Sequence, residues 1–171
     1  MMFLLDVNAL LAMRYTDHVH YTRVHTWASQ LASERGHDDV VFATCPITEL
    51  GFVRVGSGKA GYARNVDAAR DDLQDLKSIN NMLFIPDDVQ TRHLPAWVRK
   101  SPQTIDGYLL ALAKAHGGHL ATLDRFIPGA MFVPEAAVAP LTVREESLSS
   151  DWAYLRHGTA DQAGSRGYSL R

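Results

Sequence analysis

Met2-Phe3-Leu4-Leu5-Asp6-Val7-Asn8-Ala9-Leu10-Leu11 decides how the chain is read. Phe3, Leu4 and Leu5 form a short apolar run of the kind that serves as a strand buried on both faces of a parallel sheet. Asp6 ends the run. A carboxylate set directly after a buried strand is costly to desolvate unless hydrogen-bond donors or a metal compensate it. In open α/β sheets ligands bind in the crevice outside the carboxyl ends of the strands, and Asp6 stands at that exit with Asn8 two residues on. The same aspartate also suits the N-cap of a following helix, and both readings stay open on this stretch alone.

Working outward, Val40 to Thr44 reads as a second, β-branched strand. Pro46 then fits the first turn of a helix, where its missing N–H is not needed. Glu49 falls in that turn, as a candidate ligand or as a favourable charge near the helix dipole. Ile47, Leu50 and Val53 are expected to face the core. Met82 to Ile85 is a third strand, closed by Pro86-Asp87-Asp88, which suits a turn better than a metal site. Pro102 to Tyr108 opens a helix with Ile105, Leu109, Leu112 and Ala113 on its apolar face and Asp106 in its first turn; Gly117-Gly118 ends it. His119 to Leu123 is a fourth strand, followed by Asp124 as the first is followed by Asp6. Met131 to Val133 is a fifth.

Two further helices fill the intervals. One is expected from an Asp17 cap to about Glu34, carrying His18, His20 and His25; residues two apart do not share a helix face, so these read as solvated histidines rather than metal ligands. The other runs from about Asn65 to Asn80 with Val66, Ala69, Leu73 and Leu76 on one stripe. Gly56, Gly58 and Gly61 lack P-loop spacing and read as a connection. Thr91 to Lys100, with Arg92, His93, Trp97, Arg99 and Lys100, is either a nucleic-acid rim or a solvated amphipathic loop.

Bulk properties bound the function. The 171 residues suit one domain with a full core and room for an appendage, and 46% are apolar. Lys plus Arg number 17 against 19 for Asp plus Glu, a net charge of −2, which is not the basic excess common in nucleic-acid binders. A single cysteine, Cys45, excludes an internal disulfide and fits a reducing compartment. No run has the length of a membrane span, and the apolar start is too short for a signal peptide, so a cytoplasmic location is expected. Periodicity stops beyond about Ser147, and Gly158 to Arg171 is polar and glycine-rich. The expected organisation is a domain over residues 1–143 and a flexible extension over residues 144–171.

Strands alternating with helices imply an α/β fold with a mostly parallel sheet between helical layers. On it Asp6, Glu49, Asp106 and Asp124 all fall at strand exits or in first turns of helices. Clustered carboxylates repel one another unless a cation is shared. Oxygen ligands without a cysteine or a chelating histidine pair select a hard ion, Mg²⁺ or Mn²⁺. Such a pocket suits metal-assisted hydrolysis of a phosphate ester.

Four stretches carry a resemblance: Leu4-Leu5-Asp6-Val7-Asn8-Ala9-Leu10, Pro46 to Phe52, Thr104 to Ala113, and Leu120-Ala121-Thr122-Leu123-Asp124. In their order and spacing the chain resembles PIN-domain proteins, and among them the VapC toxins of type II toxin–antitoxin pairs. The likeness runs from about Met1 to Val143. It implies a three-layer α/β/α fold with a five-stranded, mostly parallel sheet and Mg²⁺-dependent endoribonuclease activity on single-stranded or loop RNA, with Mn²⁺ as a possible substitute ion. By position Asp6, Glu49, Asp106 and Asp124 would be the catalytic, metal-binding acids, with Asn8 and Thr122 as polar support. A homodimer and a VapB-like antitoxin are implied as partners. Arg14, Arg54, Arg99 and Arg125 are candidates for steering RNA. Ile105 and Gly107 depart from the family's usual Thr and Ala around Asp106. Two rivals remain: a catalytically silent PIN-like binding module, and a HAD-like phosphatase, which needs a second acid where this chain has Asn8.

Overall fold

The computed structural model describes residues 1–59, 61–80 and 82–135. The chain divides into two units, Met1–Ala137 and Val138–Arg171; the expected boundary at residue 143 and the extension after it lie outside the described residues. Five strands form one sheet: β1 (Met2–Leu5), β2 (Val41–Thr44), β3 (Leu83–Phe84), β4 (His119–Thr122) and β5 (Met131–Phe132). Their order is β3-β2-β1-β4-β5, and every neighbouring pair is parallel. The helices among the described residues are α1 (Val7–Arg14), α2 (Tyr21–Arg35), α3 (Pro46–Gly56), α4 (Val66–Ile79) and α5 (Thr104–Ala115), with short 3₁₀ turns between some elements. No helix among them is long and apolar enough to cross a membrane.

β1 lies in the middle, which explains its unbroken apolar run. Phe3 and Leu5 point to one face and join a core with α1, α2, Phe52 of α3, and Leu73 and Leu76 of α4. Leu4 points to the other face, among Leu109, Leu110, Leu112 and Ala113 of α5, Leu120 and Ile127. Side chains alternate across a strand, so three consecutive apolar residues supply both cores. The expected three-layer α/β/α architecture is the one found.

Several local expectations shift. α2 begins at Tyr21 and not at Asp17, because no side chain caps it and His18 and His20 belong to the preceding loop. His18 is buried rather than solvated. On α3, Leu50 is 71% exposed while Thr48, Gly51 and Phe52 are buried. The reason is close packing through a glycine: a Cβ on Gly51 would fall on the side chain of Val7 in α1. Val66 and Ile105 are likewise exposed although their periodicity placed them inside.

Candidate metal-dependent active site

Asp6 serves both of its readings at once. Its backbone N–H still bonds to Ala121 O at 3.0 Å, extending the β1–β4 pairing by one step. Its side chain then caps α1, Oδ1 accepting the Ala9 N–H at 2.7 Å. The other oxygen, Oδ2, accepts the hydroxyl hydrogen of the buried Thr122, the last residue of β4. Thr122 Oγ1 also accepts the backbone N–H of Asp124 at 3.0 Å. One threonine thus ties the acid after the first strand to the acid after the fourth.

The electrostatics of the three aspartates are linked. Burial pushes the Asp6 carboxyl above its usual range; the Thr122 and Ala9 hydrogen bonds oppose that, and the nearby Asp106 charge adds to it. Asp106 lies in the first turn of α5 and is also raised, by burial and then by the charge of Asp124. Desolvation and like charge both favour the neutral acid. The sequence-predicted Asp6, Asp106 and Asp124 therefore share one electrostatic neighbourhood at the carboxyl end of the central strands.

Glu49 is differently engaged. It sits in the first turn of α3 after β2, but its Oε1 accepts the Thr44 hydroxyl at 2.6 Å and pairs with Lys77 of α4. Both members of the ion pair are mostly buried. Lys77 was not legible as a site residue, since it lies on the charged side of an amphipathic helix and reaches Glu49 across 28 positions. Asn8 is exposed and faces an open pocket of about 470 Å³ with His18, Val19, His20, Leu123 and Asp124.

The four arginines considered for RNA diverge. Arg14 bonds Asp72 of α4 through both its ion pair and Nε, at 3.2 Å to the carbonyl, so it holds α1 to α4. Arg54 and Arg99 are exposed, and the guanidinium of Arg125 lies 5.6 Å from the centre of the Phe126 ring. In the basic loop Trp97 packs against the α5-side core, and a Cβ on Gly107 would collide with Val98. That loop therefore seats on α5 beside Asp106.

A divalent cation is the group this donor set would suit. Asp6 is sunk and raised in pKa, and each of its oxygens has a lone pair beyond the hydrogen bond it accepts. The neighbours that perturb it are carboxylates, hard oxygen donors. Among the described residues no three acidic, histidine or cysteine side chains are already gathered closely enough to enclose an ion. The residues fit such a cation in chemistry and charge, and coordination would draw the carboxylates inward.

No family model matches the chain. Individual relatives do, all from Mycobacterium tuberculosis. Ribonuclease VapC38 is 36% identical over 127 residues, covering 72% of this chain and 85% of the relative. Ribonuclease VapC29 is 37% identical over 127 residues, covering 72% and 86%. Ribonuclease VapC39 is 34% identical over 127 residues, covering 71% and 87%.

Proposed function

The chain belongs to the VapC ribonucleases, the toxin endoribonucleases of toxin–antitoxin pairs, and from that premise we propose that Asp6, Asp106 and Asp124 hold a divalent cation, Mg²⁺ with Mn²⁺ as substitute, at which RNA is hydrolysed. The observation that carries this reading is the mutual perturbation of the three carboxylates at the exits of β1 and β4 and the start of α5. When bound, the cation supplies neutralisation of the phosphodiester charge and acidifies a water.

The chain's own residues do the positioning. Ala9 N–H and Thr122 Oγ1 fix the plane of the Asp6 carboxylate, leaving its remaining lone pairs for the ion. Thr122 also fixes the backbone of Asp124, so the two acids keep their relative placement as substrate enters. Asp106 completes the set from the rigid first turn of α5. Glu49 binds the ion or orients the attacking water once its pair with Lys77 opens. Attack in line on phosphorus breaks the P–O3′ bond, leaving a 5′-phosphate and a 3′-hydroxyl. Asn8 lends polar support at the pocket mouth.

The partners that go with this reading are RNA, a VapB-like antitoxin and a second copy of the chain, in the cytoplasm. The test is cleavage of total cellular RNA by antitoxin-free protein with Mg²⁺, with chelator, and with Asp6→Asn. Discrete fragments lost in the last two conditions support the reading. Cleavage that survives both would overturn it.

A further inference from the structure

The open pocket beside Asp124 is built from parts the cleavage chemistry leaves unused. Its far wall is the loop between α1 and α2, with His18, Val19 and His20. That loop has a defined shape. His18 is buried, its ring 5.6 Å from that of Tyr62, and its Nδ1 accepts the backbone N–H of His20 at 3.1 Å. The contact turns the half-buried His20 ring, 5.8 Å from that of His18, toward the same pocket as Asp124.

A second observation comes from the other side of Asp124. Its Oδ1 accepts the backbone N–H of Phe126 at 2.8 Å, so the carboxylate and the aromatic residue share one tight turn. The Phe126 ring is 80% exposed, with the Arg125 guanidinium 5.6 Å from its centre. Ile127 next to it is buried in the α5-side core, which anchors the turn. An exposed phenyl face with an adjoining cation is the arrangement that single-stranded nucleic acids use, bases stacking on the ring and phosphates meeting the charge. Unstacked RNA bases are also read by hydrogen bonds along their edges, which an imidazole in a shaped pocket can make.

We propose that this pocket seats one unpaired nucleotide next to the scissile phosphate, with its base held between Phe126 and His20 and its backbone met by Arg125. The subsite rests on the ribonuclease reading of the adjacent acids, and it makes the substrate class single-stranded RNA rather than duplex. Phe126 and His20 then determine affinity and base preference, while Asp6 and its neighbours perform the hydrolysis.

The test measures anisotropy of a 5′-fluorescein-labelled single-stranded RNA of mixed sequence, in chelator so that no cleavage occurs. Wild type is compared with Phe126→Ala, Phe126→Trp, His20→Ala and Asp6→Asn, each checked for a native melt. Loss of one stacked base is expected to weaken binding about tenfold in Phe126→Ala, with Phe126→Trp restoring it and His20→Ala weakened in the same direction. Asp6→Asn is expected to bind as well as wild type and, with Mg²⁺, to cleave nothing. Equal affinity across wild type, Phe126→Ala and His20→Ala, or no binding by wild type, overturns the subsite. Cleavage by Asp6→Asn overturns the assignment of the acids instead, and leaves the subsite to be judged by the binding data.

Discussion

The hydroxyl of Thr122 is bonded to Oδ2 of Asp6, joining the ends of two adjacent parallel strands through a single oxygen. The same oxygen accepts the Asp124 N–H. Thr122→Val keeps the shape and removes both functions, leaving a carboxylate oxygen and an amide without this partner. The expected cost is about 1–3 kcal/mol of stability, read by urea denaturation, together with loss of most RNA cleavage. Thr122→Ser should recover both. A Thr122→Val protein as stable and active as wild type would remove the threonine from the site.

The pH dependence of stability should carry the signature of Asp6. Its folded pKa is raised above the ordinary aspartate value of 3.8. A raised acid stabilises the fold while protonated, below the unfolded value, and that contribution is lost as pH rises through the folded value. Asp6→Asn keeps a capping oxygen for Ala9 and carries no charge. In chelator its melting temperature should therefore match wild type near the unfolded aspartate value and exceed it increasingly toward neutrality. A gain of about 1 kcal/mol reads as ~2–4 °C in a domain of this size. A constant offset at all pH values would contradict the assignment of burial as the cause.

Metal should reverse that penalty. With Mg²⁺ or Mn²⁺ the wild type is expected to gain thermal stability, by about 2.7 kcal/mol at a hundredfold excess over Kd. Asp6→Asn and Asp106→Asn should gain little. Differential scanning fluorimetry with and without chelator checks this independently of any RNA.

Lys77→Met removes the cation from a largely buried pair and leaves Glu49 without its charged partner. A loss of about 1–3 kcal/mol is expected, between the values for exposed and fully buried pairs. If Glu49 serves the ion, the same variant should bind Mn²⁺ more tightly than wild type, because a competing ammonium is gone. Unchanged Mn²⁺ affinity in a folded Lys77→Met protein would confine Glu49 to a structural role.

Gly107→Ala should be destabilising, because the added methyl meets the side chain of Val98. Overpacking of this kind costs about 1–3 kcal/mol. Val98→Ala in the same chain should restore much of it, giving a favourable coupling in a double-mutant cycle. Additive losses would mean the loop does not seat on α5 as described.

Much of this molecule could be read from local pattern. The alternation of strands and helices and the acids at their junctions sit in short contiguous stretches, where periodicity and punctuation report directly on structure. Leu50 and Ile105 escaped that logic because α3 and α5 approach their neighbours through Gly51 and Gly107, so the buried face follows backbone proximity rather than side-chain hydrophobicity. His18 escaped it because its burial depends on Tyr62, far along the chain. The Lys77–Glu49 pair was hidden for the same reason: each residue has an unremarkable local role, and only the packing of α4 on α3 brings them together. The resemblance explained neither Ile105 nor Gly107; the seating of Val98 gives the glycine its physical reason.

The strand order also sets a timetable. Asp6 leaves the ribosome early, yet the strand that must lie beside its own, with Phe3 against His119 and Leu5 against Ala121, comes near the far end of the described chain. Until then β1 has an open edge, the Asp6 oxygen has no hydroxyl from Thr122, and Asp106 and Asp124 have not been made. A half-synthesised copy is therefore harmless. The machine translating this chain is itself largely RNA, and it is out of danger until the product is almost finished, because the hazardous chemistry is assembled last.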